Sequence, residues 1–105
     1  MRFAYEHHRT KAEVRGRIAE AVPDLLGRYG SPLQAAHYEW YADTLHFSAE
    51  AIGMAFAGTA EVTDSEVILE VKLPLLARPF EEPAKRRIIG HLDSLLAQRK
   101  GPSGS

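Results

Sequence analysis

Two histidines, a glutamate and a serine lie near one another in the sequence, with a spacing that would place their side chains on one face of a pair of β-strands. His37, Glu39, His46 and Ser48 alternate with apolar residues around Trp40. Imidazole nitrogens and carboxylate oxygens bind zinc, so His37, Glu39 and His46 define a hypothetical zinc site. Ser48 beside a histidine is the minimal pair of a nucleophile and a base, which suggests a hydrolase as a further hypothesis.

Both hypotheses compete with a simpler interpretation of the same residues. Histidines on a sheet surface are more often solvated or hydrogen-bonded than functional. The sequence lacks a G-x-S-x-G nucleophile elbow, and a flat exposed sheet provides no oxyanion hole. Gly53 and Gly58 do not have the spacing of a phosphate-binding loop. We therefore predict that the protein is not an enzyme and has no catalytic residues, no metal and no cofactor.

Composition limits the class of protein further. The chain has 105 residues, with 13 Lys and Arg against 14 Asp and Glu, for a net charge of -1. This balance argues against a protein that binds nucleic acid through bulk charge. Cysteine is absent, which excludes disulfides and thiolate sites. Because no apolar run reaches membrane-spanning length, we expect a cytoplasmic protein. We also expect one domain over residues 1–100 and a disordered tail over residues 101–105.

A hairpin that turns at Ala42-Asp43 is predicted to position the four polar residues. With that turn, Trp40 lies opposite Leu45 and Tyr38 opposite Phe47, all on one face of the sheet. The polar set then falls on the other face. A shift of one residue would expose the only tryptophan, so the register is strongly specified.

Two further strands repeat this alternation around a turn at Asp64-Ser65. Val62 is predicted to pair with Val67 and Ala60 with Leu69, again on an apolar face. A turn at residues 50–51 is expected before the third strand. The predicted segments are a short first strand over residues 3–7, the central hairpin over 35–49, and strands over 52–62 and 66–73.

Two helices are predicted to cover the apolar face. Thr10 and Glu13 have the spacing of a capping box, and the apolar stripe behind them continues through Val22. Pro23 predicts a kink or a break near residues 21–22. A second helix is predicted over residues 81–98, with Pro83 in its first turn. The fold class is α+β in the order β-α-β-β-β-α, with a four-stranded antiparallel sheet and both helices packed on one face.

Several apolar residues remain after the predicted core is filled. Leu75 and Leu76 lie in a loop bounded by prolines, and Phe80 follows it. A contiguous exposed patch of this kind indicates a binding surface. Ile52 and Ile68 fall on the otherwise polar face of the sheet, and together with this loop they suggest a homodimer.

A ligand-binding module is the alternative function. An acyl- or lipid-like ligand would occupy a pocket between the sheet and the last helix. The predicted lining consists of the large apolar residues of the sheet and one of the helix, namely Trp40, Phe47, Phe56 and Leu92.

Three segments resemble a known protein family. They are His8-x-Thr10 with the helix that ends at Tyr29-Gly30, the motif Trp40-x-x-Asp43-Thr44-Leu45-x-Phe47, and Val67-x-Leu69-x-Val71-Lys72-Leu73-Pro74-Leu75-Leu76. The likeness runs from about residue 3 to residue 96 and is to the polyhydroxyalkanoic acid system proteins, also called polyhydroxyalkanoate granule-region proteins. Ala42 departs from the glycine usual there, and the strand containing Gly53 and Gly58 is longer and more apolar.

The resemblance implies an accessory role in bacterial polyester metabolism. Some members of this family are placed at the surface of polyhydroxyalkanoate granules, and the family brings no catalytic residues to this sequence. The expected partner is therefore a granule or a granule-associated protein, contacted through Leu75, Leu76 and Phe80.

Overall fold

A five-stranded antiparallel sheet covered by two helices forms the fold in the computed structural model, which describes residues 1–29, 33–51 and 53–96. None of the helices in these ranges is long and apolar enough to cross a membrane. The elements are β1 (Arg2–Glu6), α1 (Lys11–Tyr29), β2 (Leu33–Tyr41), β3 (Thr44–Ala51), β4 (Met54–Val62), β5 (Glu66–Lys72), a 3-10 segment (Leu75–Phe80) and α2 (Glu81–Leu96).

The predicted α+β class is confirmed, but the predicted number of strands is wrong. The spatial order is β1-β5-β4-β3-β2, which gives five strands rather than four. The segments predicted from sequence already comprise five strands, because the central hairpin contributes two of them, and the count of four left one out. The predicted tail over residues 101–105 lies outside the described residues.

Both predicted hairpin registers are confirmed. Trp40 pairs with Leu45 and Tyr38 with Phe47 across the first turn. Across the second turn Val62 pairs with Val67, and the amide of Thr63 donates to the carbonyl of Glu66 at 2.8 Å. These pairs put the apolar residues of β3, β4 and β5 on one face, as the period of two requires.

The turn predicted at residues 50–51 is wrong. Ala51 is still in β3, where it pairs with Met54, and the chain reverses between them. Gly53 has a φ of +72°, a left-handed conformation that glycine adopts without steric cost. Gly53 is therefore the residue that indicates the turn, whereas residues 50 and 51 include no glycine.

The turn between β2 and β3 is anchored to α1. Ala42 has a φ of 55°, which is costly for a residue with a Cβ. The Asp43 carboxylate forms an ion pair with Lys11 at 3.2 Å, and the Arg15 side chain donates to the Ala42 carbonyl at 3.1 Å. The Arg15 guanidinium also lies 4.2 Å from the centre of the Trp40 ring. These contacts to α1 hold the turn in place.

Both helices pack on the apolar face of the sheet. Val14 of α1 and Leu96 of α2 are fully buried against the strands. Tyr38, predicted for this face, is instead 39% exposed because β2 is an edge strand that α1 covers only in part. The buried apolar cluster consists of Val14, Ile18, Leu45, Ala60, Val62, Val67, Leu69, Val71 and Leu96.

Glycine is required at position 58 because the Phe47 side chain lies beside it on the neighbouring strand. The two residues are paired neighbours on β4 and β3. A Cβ at Gly58 would overlap the Glu70 carbonyl oxygen and approach the Phe47 Cζ to 2.8 Å. The glycine thus allows the aromatic ring to lie close to the backbone.

Helix α1 begins as predicted but is not broken at Pro23. The Glu13 amide donates to the Thr10 hydroxyl at 3.1 Å, which is the expected N-cap. The helix continues through Pro23 to Tyr29. Proline has no amide proton, so the backbone carbonyl one turn earlier in the helix loses its hydrogen-bond partner. Because Pro23 is exposed, water can bond to that carbonyl. The predicted break is therefore wrong, and the alternative of a kink stays a prediction.

Two arginines, one just before α1 and one within it, bind the last carbonyls of α2. Arg9 donates to the Leu96 carbonyl at 2.8 Å, and Arg17 donates to the Leu95 carbonyl at 3.0 Å. The Glu13 carboxylate accepts from both guanidinium groups. Cations at the carboxyl end of a helix satisfy its last carbonyls and complement its dipole.

Candidate functional site

The polar residues proposed for zinc binding or catalysis lie together on the face of the sheet opposite the helices. His37 pairs with Ser48 and Glu39 with His46, and all four side chains are exposed. They line a broad, shallow concavity that extends over β4 and β5 to Lys72. The sequence thus predicted the common face of these residues correctly.

The contacts within this face join Glu39, Tyr41 and His46. The Glu39 carboxylate accepts a 2.6 Å hydrogen bond from the Tyr41 hydroxyl, which raises the pKa of Tyr41. The Tyr41 ring meets His46 edge to face at 4.9 Å. Within the described ranges, His37, His46 and Ser48 share no hydrogen bond, and no group of three or more potential ligands is arranged to hold a metal ion.

His7 is the one buried histidine of the part of the chain that the structure describes. Its Nδ1 accepts from the Arg9 amide at 3.1 Å, so Nε2 carries the proton and donates to the Thr63 carbonyl at 2.9 Å. The side chain is 2% exposed. Both nitrogens are used to join the end of β1 to the turn after β4, which is a structural role.

Three large apolar side chains project from the 3-10 segment into solvent. Leu75 is 75% exposed, Leu76 79% and Phe80 64%. We call these three residues the apolar patch. Their exposure exceeds that of the other large apolar residues in the parts of the chain for which the structure describes side chains. An exposed cluster of this kind on a small domain is typical of a contact surface.

The backbone below the apolar patch is held in a fixed conformation. Ala77 is 4% exposed, and its amide donates to the Pro74 carbonyl at 2.9 Å. Pro74 and Pro79 restrict the backbone at both ends of the segment. The Glu81 amide then donates to the Arg78 carbonyl at the junction with α2. Little conformational entropy is therefore lost when the patch binds a partner.

A second apolar surface is concave and lies between the two helices. We call it the helix groove; it has a volume of about 390 Å³. Ile18, Ala21 and Val22 form the α1 wall, and Ile88, Leu92 and Leu95 form the α2 wall. The floor comes from β3, β4 and β5 and includes Leu45, Phe47 and Leu69.

The structure brings together two of the four residues predicted to line a pocket. Phe47 lies in the floor of the helix groove and Leu92 in its α2 wall. Trp40 lies outside the groove, beneath the Arg15 guanidinium. Phe56 lines a separate concavity near the turn between β3 and β4.

Sequence reasoning did not identify the α1 wall of the groove. The signal was present, because Ala21 flanks the stripe of Ile18 and Val22 and a small side chain leaves space beside a helix. The polar rim was also missed. Asp24, His91 and Ser94 are the polar residues that line the groove, and all three are on the helices.

Comparison with known proteins identifies a family that covers most of the chain. A sequence model of the family described as "Putative polyhydroxyalkanoic acid system protein" matches residues 1–96. The matched range contains every strand and helix of the described chain, and therefore both the apolar patch and the helix groove. Searches of curated proteins and of solved structures found no match to this chain.

Proposed function

Because the chain belongs to the polyhydroxyalkanoic acid system family, we propose that it is a non-enzymatic accessory protein that binds the surface of polyester granules in the cytoplasm. The contact is made by the apolar patch of Leu75, Leu76 and Phe80. The observation that carries this proposal is the exposure of all three side chains, between 64% and 79%, on one short segment.

The apolar patch has the properties needed to bind an apolar solid surface. Its three side chains are mostly exposed, so a flat partner can reach them without entering a cavity. Complete burial of one such side chain contributes about 1.5–3 kcal/mol, so the three together contribute about 4.5–9 kcal/mol, which corresponds to dissociation constants from the millimolar to the micromolar range. The proline-bounded backbone reduces the entropic cost.

The polar face of the sheet supports a role without catalysis. Its histidines and serine are exposed, and the Glu39 carboxylate is engaged by the Tyr41 hydroxyl rather than by a histidine ring. A base must lie within hydrogen-bond reach of its nucleophile, and the described residues of this face do not meet that condition.

Co-sedimentation with protein-free polyester particles tests the proposal. The variant with Leu75→Asp and Leu76→Asp places two carboxylates in the contact, and we expect its binding to fall about 100-fold or more. Tyr41→Asp is the control, because it changes another exposed apolar residue, 57% accessible, far from the segment. It should bind as the unmodified protein does.

Two results would contradict the proposal. The first is retention of binding by the double variant while its circular dichroism and unfolding transition remain unchanged. The second is binding to native granules but not to protein-free particles, which would identify a granule protein as the partner. Because Leu75 and Leu76 are exposed, both aspartates should be accepted without loss of the fold.

A further inference from the structure

We propose that the outer edge of β2 pairs with the same edge of a second copy of this chain, so that two sheets join across a two-fold axis. Strand β2 is the last in the strand order, and among the described residues it pairs only with β3. Such an edge presents a row of backbone donors and acceptors to any strand that aligns with it. This surface differs from the one that the sequence suggested for a homodimer, which included Ile68 and the apolar patch.

The backbone groups that face this edge belong to Tyr38 and Trp40. The Val62 amide donates to the Asp43 carbonyl at 2.9 Å, so Asp43 directs its backbone toward β4. Because this direction alternates along an antiparallel strand, the even-numbered residues of β3 direct theirs toward β2. Their partners in β2 are the odd-numbered residues between positions 37 and 41. The even-numbered ones, Tyr38 and Trp40, therefore direct their amides and carbonyls away from β3.

The two edges of the sheet differ in how well they are protected from pairing. Strand β1 has only five residues and carries a charged residue at each end, Arg2 and Glu6. Short length, lysine and proline are common ways to keep an edge unpaired. Strand β2 is nine residues long, and residues 36–41 contain neither lysine nor proline. Its register shift between Gln34 and His37 leaves the stretch around Tyr38 as the regular part of the edge.

One two-fold register places complementary polar side chains opposite each other. In an antiparallel pair about a two-fold axis, one residue lies opposite its own copy. With Tyr38 on the axis, Glu39 lies opposite His37 of the second copy. With Glu39 on the axis, two carboxylates would face each other, which destabilises a sheet. With His37 or Trp40 on the axis, Glu39 would lie opposite Ala35 or Tyr41 instead. The register centred on Tyr38 is therefore favoured.

The side chains of this register allow contact on both faces of the joined sheets. The Glu39 Oε1 accepts from the Tyr41 hydroxyl at 2.6 Å, and Oε2 can accept from the imidazole of His37 in the second copy. His37 is exposed and makes no hydrogen bond among the described residues. The axis repeats this contact, so the pair has two such bonds. On the other face Tyr38, 39% exposed, would meet its own copy.

The test measures both the mass of the full chain and the exchange of its edge amides. Because one strand pair is a small interface, we expect concentration-dependent association rather than a permanent dimer. Light scattering from about 10 μM to about 1 mM should show the mass rising from one chain toward two. Over this range, amide hydrogen exchange by NMR should slow at Tyr38 and Trp40. The Glu39 amide, which faces β3, should be protected throughout.

An exchange of polar groups tests the register. Glu39→Lys removes both carboxylates from the pair and should raise the dissociation constant about tenfold or more. Adding His37→Glu to Glu39→Lys puts a carboxylate opposite each lysine and should restore association. Glu61→Lys is the matched control, because it makes the same charge change at an exposed position of β4 on the same face. It should associate as the unmodified protein does.

Three results would overturn the proposal. The first is a mass of one chain at about 1 mM, which is also the result for an edge that accepts only a strand from another protein. The second is association that leaves the Tyr38 and Trp40 amides unprotected, since another surface would then carry it. The third is failure of the combined variant to associate while its circular dichroism is unchanged, which would reject the register.

Particle binding separates this surface from the one in the proposed function. The apolar patch follows β5, on the other side of the sheet from β2. The variant with Leu75→Asp and Leu76→Asp should therefore associate normally, and Glu39→Lys should still bind polyester particles. Loss of association in the double aspartate variant would identify the apolar patch as the interface between copies and would contradict pairing through β2.

Discussion

The two ends of the helix layer differ although similar residues form them. At the closed end, Val14 and Leu96 are fully buried, and Arg9 and Arg17 bind the last carbonyls of α2. At the open end, Val22 belongs to the same apolar stripe of α1 as Val14. It is only partly buried and lines the helix groove.

The difference shows what an apolar stripe on a helix determines and what it leaves open. The stripe fixes which side of α1 faces the sheet. How closely a second helix approaches that side depends on contacts between residues far apart in sequence, such as Arg17 with the Leu95 carbonyl. Where such contacts exist the layer is closed, and where the described residues show none the helix groove remains.

The largest expected effect compares the same substitution at the two ends. Val14→Ala removes two methyl groups from a fully buried site and should lower the free energy of unfolding by about 2–3 kcal/mol. Val22→Ala removes them beside the groove and should cost about 1 kcal/mol or less. Urea unfolding at a constant m-value measures both.

The two valines form a matched pair because they lie eight residues apart on one helix and change helix propensity equally. Equal losses at the two positions would show that the open end is as tightly packed as the closed end. In that case the groove would not exist in solution.

A smaller effect is expected at the arginines that close α2. The Arg9 side chain is 14% exposed and donates to both Leu96 and Glu13, so Arg9→Ala should lower the free energy of unfolding by about 1–2 kcal/mol. Arg2→Ala serves as the control. Arg2 is 65% exposed and lies 3.6 Å from Glu70, so its loss should cost less than about 0.5 kcal/mol.

Chemical unfolding of both arginine variants gives the comparison directly. If Arg9→Ala is as stable as Arg2→Ala, the hydrogen bond from Arg9 to the Leu96 carbonyl does not hold the layer closed. The buried core around Val14 and Leu96, together with Arg17, would then have to account for the closure.

The sheet was predictable from sequence because the period of two in a strand assigns every side chain to a face. Trp40 opposite Leu45 and Val62 opposite Val67 follow from that rule and a turn. The exposed positions of Leu75 and Leu76 were also foreseen, since the flanking prolines exclude a central strand. These are local consequences of residue type.

The predictions that were wrong depend on choices that local pattern does not make. The turn at Gly53 competes with one at residues 50–51, and only the backbone conformation decides between them. Pro23 is accepted in α1 because its face is solvated. Trp40 lies outside the groove because Arg15 covers it, a contact between a helix and a strand 25 residues away. The homodimer remains a prediction, which light scattering after size exclusion would test.

The smallest expected effect is a pH dependence at the contact between α2 and β1. Burial, together with the 2.6 Å hydrogen bond to Asp93, raises the pKa of Tyr5 from 10.0 to about 12. Above pH 10 the unfolded chain therefore loses this proton while the folded chain keeps it, so stability falls as the pH rises toward 12.

Tyr5→Phe lacks this proton and should lose less stability over the same range. The hydrogen bond to Asp43 also raises the pKa of Lys11, but Lys11 is present in both proteins, so the difference between their unfolding curves reports Tyr5. Parallel curves from pH 9 to 12 would show that Asp93 does not hold α2 against β1 through this hydroxyl, and that the closed end of the helix layer is fixed by Arg9, Arg17 and the buried core.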